Sequence, residues 1–430
     1  MNKIFQRLII IFALLLGFEA SAQKLELQLS EQAYASLLTC GPGDDFYTTF
    51  GHTALRICDS NAIQVMNRMH NGNIVKDTIR GIDVVYNYGT FNFCDNFYFK
   101  FTQGRLDYCL SRDHSMNNFL FEYANEGRYV YEQKLNLTHA DLQKLFEAME
   151  ENYLPENRYY KYDFFKDNCA TRVRDKINEC ISLPEGTNPP FVESTSDTNF
   201  TFRKLLYPHM DGRLEWWKLG IDLVLGSICD KRASNLDYDF CPIELSHQVD
   251  TMYYLAKVDS THTIEKIKLA EPMVLILPEN RAQLPMSIYP TLVFWASCLI
   301  VIGLTVISWV KQSRGSKRWK LRGLDAPLFL IVALISVVII FLWFFSDHYC
   351  TKGNLNILWA SPLFFYFGLF TARSNKWVIY VQLLMLVVLM GGFWWLPQEF
   401  NAAIFPIALM LFVRLISIVR GQNAPIIQEK

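Results

Sequence analysis

Residues Asp167–Ile181 read DNCATRVRDKINECI, and Phe50–Ile57 read FGHTALRI. The first stretch reads as a helix opening at Cys169, so its sulfur would sit where unpaired backbone N–H groups favour an anion. That position predicts a thiol pKa below that of free cysteine. The second stretch alternates and is rich in β-branched residues, which predicts a strand carrying His52 toward a helix end. A cysteine and a histidine so placed are a nucleophile and its base. Taken singly, cysteine and histidine are common core residues. Here, however, Asn168 and Thr171 flank the sulfur with polar groups, and Gly51 leaves room for close approach beside the imidazole.

Working outward, VVYNYGTF (84–91) and RYVYEQKLNL (128–137) alternate as strands do. Thr138, followed by Asp141, matches a capping box that opens a helix over HADLQKLFEAMEENY (139–153). YYKYDFF (159–165) then returns as a strand into the cysteine helix. Helices and antiparallel strands are segregated, the α+β layout. Asn188-Pro189-Pro190 and the polar stretch to Asn199 mark a boundary. The expected division is therefore a catalytic domain over 23–190 and a helical extension over 191–287.

Composition bounds the rest. The chain has 430 residues, 51% hydrophobic, and a net charge of -1, so no global basic field attracts nucleic acid. Lys3 and Arg7, the apolar run Leu8–Phe18 and Ala20-Ser21-Ala22 match a secretory signal over 1–22. From about residue 288 five apolar runs follow, Ser287–Val310, Ala326–Phe345, Ile357–Thr371, Trp377–Trp395 and Ala402–Val419. They predict an all-α membrane domain of five helices over 288–420 and a tail over 421–430. The third run is short for a bilayer that needs about 20 residues. Lys311, Arg314, Lys317, Arg318, Lys320 and Arg322 crowd one loop, which the positive-inside rule places in the cytoplasm with the N-terminal domain outside. Arg414 is expected to snorkel to the inner face.

Eight of the ten cysteines precede the membrane domain, where an oxidising compartment permits disulfides. Proximity alone offers Cys94 with Cys109 and Cys229 with Cys241. Ligand spacing of the zinc type is absent, so neither a metal nor another cofactor is expected.

LLTCGPGDDFYTTFGHTALRI (37–57), YNYGTFNF (86–93), PENRYYKYDFFKDNCATRVRD (155–175) and DHYCTKGNLNILWASPL (347–363) resemble the motifs of Lnb-type lipoprotein N-acyltransferases. The resemblance spans nearly the whole mature chain. It implies an inner-membrane protein, multi-pass, whose periplasmic domain is similar to circularly permuted papain-like thiol enzymes. It also implies Cys169 as nucleophile and His52 as base, with an acyl chain moving from membrane phospholipid through a thioester to the N-terminal amine of diacylglyceryl-cysteine lipoproteins.

Papain-like sites also orient the imidazole with a polar side chain. Asn87, on a strand placed to pair beside HTALRI, is the candidate; a turn role for Asn87, or Tyr47 or Asp83 in its place, stays open, and Tyr88 next to it is a candidate for binding substrate or lipid. Arg172, one turn past Cys169, is either a support for the thiolate or part of a solvated face. His348 and Asn354, in the outer loop 346–356, are candidates for a lipid head group or the acceptor amine, against plain loop solvation. The segment RLEWWKLGIDLVLGSICDK (213–231) is either an interfacial helix or a core helix. Other chemistries fit a papain-like domain too: a membrane-tethered thiol peptidase or amidase acting on the cell wall, or a non-catalytic binding or sensor module.

Overall fold

The computed structural model describes residues 27–70, 73–93, 95–191, 200–257, 264–282, 285–313, 321–370 and 374–423. The signal segment, Cys94, most of the basic loop and the C-terminal tail lie outside the described residues.

The N-terminal part is built on a seven-stranded sheet in the order β6-β4-β3-β2-β1-β5-β9. Its strands are β1 (Tyr34–Cys40), β2 (His52–His70), β3 (Asn73–Phe91), β4 (Asp107–Asp113), β5 (Val130–Lys134), β6 (Tyr159–Lys161) and β9 (Val274–Leu277). Strand β1 pairs antiparallel with both β2 and β5, placing Cys40 opposite His52 and Val130 opposite Cys40. Four helices accompany the sheet: α1 (Phe97–Gln103), α2 (Met116–Asn125), α3 (His139–Tyr153) and α4 (Cys169–Cys180). The expected cap of α3 is present, the Thr138 hydroxyl accepting from Asp141 N–H. Helix α3 buries Leu142, Leu145, Phe146 and Met149, one stripe at helical spacing, each side chain contributing on the order of 2 kcal/mol. Arg112 and Tyr86 reach from β4 and β3 to Glu150 on α3 at 2.6 and 2.5 Å.

Two compact units can be distinguished. One comprises the described residues up to Ala33 together with Asp59–Ile82, the outer halves of β2 and β3. Within it Asp59 accepts from Ser30 N–H and hydroxyl, both at 2.7 Å. The other contains Tyr34–Cys58 and the chain from Asp83 onward, and holds everything that follows.

The segment 191–287 is only partly the helical extension expected. Helices α5 (Glu215–Val224) and α6 (Pro242–Thr251) are joined by a two-stranded sheet, β7 (Tyr253–Lys257) with β8 (Ile264–Lys268). Strand β9 then returns to the main sheet beside β5, because the apolar run Val-Leu-Ile-Leu finds its backbone partners there. The main sheet therefore also takes a strand from beyond residue 190.

The membrane part contains α7 (Pro290–Ser313), α8 (Arg322–Phe344), α9 (Leu363–Phe370), α10 (Lys376–Gly391) and α11 (Ile404–Asn423). Three of these are long and apolar enough to cross a membrane, over Pro290–Lys311, Gly323–Phe344 and Ile404–Gln422. Helix α10 has 16 residues and α9 has 8, about 24 and 12 Å of rise against a hydrocarbon core of about 30 Å. The apolar run Ile357–Thr371 does not form one helix. Leu355–Leu358 is a tight 3-10 turn, and Pro362 biases the residue before it away from helical backbone, so α9 starts only after it. Arg414 does not snorkel. It is buried, with Nε and Nη2 donating to Asp325 at 2.6 and 2.9 Å and Nη1 donating to Thr305 Oγ1 at 2.6 Å. In low dielectric a guanidinium is more stable beside a carboxylate than alone.

Candidate active site

Cys169 is the first residue of α4. Its predecessor Asn168 caps the helix, accepting from Ala170 and Thr171 N–H at 2.9 Å each, while Thr171 Oγ1 accepts from Asn168 N–H at 2.8 Å. The polar neighbours singled out in the sequence thus satisfy the helix end and fix where the sulfur emerges. Cys169 itself is 7% exposed. Its sulfur receives backbone N–H groups from Thr53, the residue after His52, and from Ala170.

His52 begins β2. Gly51 before it takes φ +79, and a Cβ there would meet the Cys40 carbonyl oxygen at 2.6 Å, so only glycine lets the chain enter β2 against β1. His52 Nε2 lies 3.2 Å from Asn87 Oδ1. Asn87 Nδ2 in turn donates to Asp113 Oδ2 on β4 at 2.8 Å. This second bond fixes the amide orientation: with its NH2 on the carboxylate, Asn87 shows an oxygen to the imidazole. Nε2 must then carry the hydrogen, and Nδ1 is left as the basic nitrogen. The two alternatives to Asn87 are engaged elsewhere, Asp83 with Arg56 at 2.7 Å and Tyr47 with Asp45 at 2.9 Å.

Between Asn87 and Thr90 the β3–β4 register shifts, a bulge of the kind that re-aims side chains beside sites. Gly89 sits in it at φ +89; a Cβ there would lie 3.7 Å from Cys169 Cβ, 3.6 Å from the Tyr162 ring and 4.0 Å from Tyr160 Oη. The Tyr160 hydroxyl is buried and has no hydrogen-bond partner among the described residues. The missing side chain of Gly89 therefore leaves a methyl-sized hollow bordered by the Cys169 Cβ, two tyrosines and the bulge.

The electrostatics differ from the expectation. Burial pushes the Cys169 thiol up from its ordinary value, although the N–H groups of Thr53 and Ala170 and the charge of Arg128 pull the other way. Desolvation outweighs the helix N-terminus, whose effect is modest. Desolvation also holds His52 down to about 4, with Arg128 adding to the fall and the Asn87 bond opposing it. The resting pair is thiol and neutral imidazole. Arg128 is buried, its Nε donating to Gly41 O at 2.8 Å and its Nη1 to Glu126 at 2.8 Å, with Tyr123 stacked 4.6 Å from its guanidinium.

The remaining candidates are placed away from the sulfur or already engaged. Tyr88 is buried, its hydroxyl bonded to Asn152. Arg172, partly exposed, pairs through two bonds with Asp167 at 2.6 and 2.8 Å and lies 3.5 Å over the Tyr160 ring. His348 Nε2 lies 2.9 Å from the Phe101 carbonyl at the end of α1. Asn354 is buried and donates to the Leu223 and Val224 carbonyls at 2.8 and 3.2 Å, capping α5 together with Asn356, which donates to the Asp222 carbonyl at 2.9 Å. Helix α5 answers both readings of its segment: Leu219 packs into the membrane-domain core while Trp216 and Trp217 stay exposed. Cys229 and Cys241 are both free thiols, and the Cys229 sulfur donates to the Cys350 carbonyl at 3.3 Å. Cys241 instead meets His209 Nε2 at 3.2 Å.

Asp113, Arg128 and Tyr160 were not singled out in the sequence. Asp113 and Arg128 carry no local signal, since only strand register brings them to the pair. Tyr160 stood in the quoted YYKYDFF run and alternates with Tyr162, a pattern that sends both rings to one face.

Fold and site together define a membrane-anchored domain with a buried cysteine at a helix start and a part-buried histidine at a strand start. Two family models match: the Lnb N-terminal periplasmic domain over residues 22–192 and the Lnb transmembrane domain over 282–423. The chain belongs to the Lnb family, in its two-domain architecture. It is an inner-membrane protein with an N-terminal periplasmic domain. No curated protein and no solved structure matches it.

Proposed function

We propose that the protein is a lipoprotein N-acyltransferase with Cys169 as nucleophile and His52 as base, and that its five C-terminal helices α7–α11 all lie in the membrane. The observation that carries the reading is the His52–Asn87–Asp113 relay, at 3.2 and 2.8 Å, beside a helix-capped cysteine in a chain of the Lnb family. The papain-like description fits this relay, since it leaves Nδ1 basic and aimed by a side chain that cannot itself take the proton.

In the first half-reaction Nδ1 of His52 takes the thiol proton as sulfur attacks an ester carbonyl of a phospholipid. The C–S bond forms, the C–O bond breaks, and the imidazolium protonates the leaving glycerol oxygen. Negative charge on the tetrahedral oxygen is met by the N–H groups that already face the sulfur and by the unpartnered Tyr160 hydroxyl. In the second half-reaction the N-terminal amine of a diacylglyceryl-cysteine lipoprotein attacks the thioester. His52 removes its proton, the C–N bond forms, and the sulfur leaves to be reprotonated. Burial of Cys169 supports transfer over hydrolysis, because water has to be kept from the thioester.

Intact-mass measurement of full-length protein tests this, wild type beside Cys169→Ala, with phospholipid and then a diacylated lipopeptide. An added acyl mass on wild type alone, discharged to the peptide amine, is expected. Cleavage of cell-wall peptides with no acyl adduct would assign the pair to a peptidase instead.

A further inference from the structure

Helix α1 reads FYFKFTQ over Phe97–Gln103 and has no buried residue. Tyr98 is 79% exposed and Phe99 57%. A helix this aromatic, with no core to enter, calls for an apolar environment outside its own domain. It is held in place from the membrane side. Asp347 N–H donates to Gln103 O at 2.7 Å, His348 meets the Phe101 carbonyl, and Arg105 forms two bonds with Asp347 at 2.8 and 3.3 Å. The outer loop between α8 and α9 thus caps the end of α1. The ring of Phe99 lies 6.4 Å from Phe341, in the last turn of the membrane-spanning α8.

From this helix a continuous series of ring contacts runs inward. Phe97 touches Phe91 at 5.3 Å, Phe91 touches Tyr108 at 5.4 Å, and Tyr108 stacks on Tyr162 at 4.4 Å. Tyr162 is one wall of the hollow at Gly89, with Cys169 on the other side. The outer end of the track is Tyr98, 5.3 Å from Phe97 and next in sequence to the Phe99 that meets the membrane span, and the inner end lies beside the nucleophile.

We infer that α1 lies in the outer leaflet and that the aromatic track from Tyr98 to Tyr162 is the path by which an acyl chain of a bilayer phospholipid reaches Cys169. The inference rests on the transferase reading for its reaction, though not for its membrane contact. Two physical points favour a lipid chain over a protein partner. The exposed rings sit beside the outer end of α8, where aromatic side chains are favoured at the boundary of hydrocarbon and water. The track is also a line of aromatic rings with no charge until Lys100 and Arg105 at its outer rim, which suits a flexible hydrocarbon chain with a phosphate at its end.

The test uses full-length protein, wild type and Tyr98→Ser/Phe99→Ser, both positions being exposed. Acyl-Cys169 formation is timed with two donors: vesicles of phosphatidylethanolamine and phosphatidylglycerol, and a water-soluble dibutanoyl phospholipid. The ratio of the vesicle rate to the soluble-donor rate is expected to fall at least tenfold in the double variant. An unchanged ratio would overturn the path. A second arm places benzoylphenylalanine at position 98 in proteoliposomes, where light should join it to phospholipid. Absence of that cross-link overturns the outer-leaflet placement whatever the chemistry. Failure of wild type to form an adduct from either donor, with the cross-link present, would instead sink the transferase reading and leave the lipid contact standing.

Discussion

Replacing Asp113 by Asn removes one charge and keeps the shape, two residues away from the reacting sulfur. Asp113 accepts the Asn87 amide at 2.8 Å, and Asn87 in turn meets His52 at 3.2 Å. A hydrogen bond to a charged group contributes about 1.5–3 kcal/mol and a neutral one about 0.5–1.5. Loss of the charge therefore weakens the link by about 1 kcal/mol, roughly fivefold in rate if the imidazole feels all of it. An amide at 113 has a second consequence. It can offer its own NH2 to Asn87, which then turns and points its NH2 at His52. Nε2 would become an acceptor, the proton would move to Nδ1, and the thiol proton would have no base. The same wrong-tautomer effect in a serine protease triad costs about 10⁴ in kcat. The expected outcome for Asp113→Asn is thus a loss between about fivefold and 10⁴-fold. It is read from a single-turnover time course of acyl-Cys169 by intact mass, with thermal unfolding as a control for folding. A rate within twofold of wild type would refute the relay, whatever the fate of Cys169→Ala.

Further outcomes are expected. With His52 held down to about 4, acylation should stay level from pH 8 to pH 5.5 and halve only near pH 4, whereas a free imidazole would lose it near 6.5. Because the unfolded chain takes up that proton first, stability should fall as pH drops from 6.5 toward 4, and His52→Gln should flatten the slope. The raised thiol predicts that iodoacetamide alkylates Cys169 at pH 7.5 more slowly than free cysteine. Tyr160→Phe removes a hydroxyl with no partner, so the melting temperature should hold or rise while acylation falls by about 10²-fold, as for loss of an oxyanion donor; a fall in both would mark a structural role. Arg414→Met alone should destabilise the protein in detergent by about 3–5 kcal/mol, by stranding Asp325, and Asp325→Leu in the same chain should restore most of it.

How much of this was legible in the sequence depended on whether the information was local. The cysteine helix and its cap, the strand opening at His52 and the Thr138 cap are set by residues within one turn of each other, and each appears where its neighbours demand it. Asn87 was reached by supposing a neighbouring strand, while its partner Asp113 needs the β3–β4 register across a bulge, which no local pattern encodes. The thiol was misjudged for a different reason. A helix N-terminus is visible in sequence; the burial that outweighs it is not. The outer loop shows the same limit: His348 and Asn354 look like free polar groups, yet both close helix ends contributed by residues more than 100 positions away. The apolar count alone made Ile357–Thr371 a membrane span, although Pro362 was in plain view to interrupt it.

On the proposed acyl-transfer role, a neutral thiol and a neutral imidazole suit a site supplied from a membrane. An enzyme that keeps a thiolate ready attacks whatever electrophile arrives, water-borne ones included. Here the same burial raises the thiol and lowers the imidazole, so ionisation is costly until a carbonyl accepts the sulfur's electrons and the charge moves onto an oxygen. The buried Arg128 sharpens this. It disfavours imidazolium and favours an anion at Cys169, so its field opposes a standing ion pair only through the proton on His52. Charge should therefore develop mainly in the transition state, which is where binding energy accelerates a reaction. Arg128→Met gives the distinction a measurable form: the His52 pKa should rise and the acid limb of acylation move above pH 4. The rate should fall even at pH 8, where His52 is neutral in both proteins; an unchanged rate at pH 8 would confine Arg128 to holding the Gly41 and Glu126 contacts.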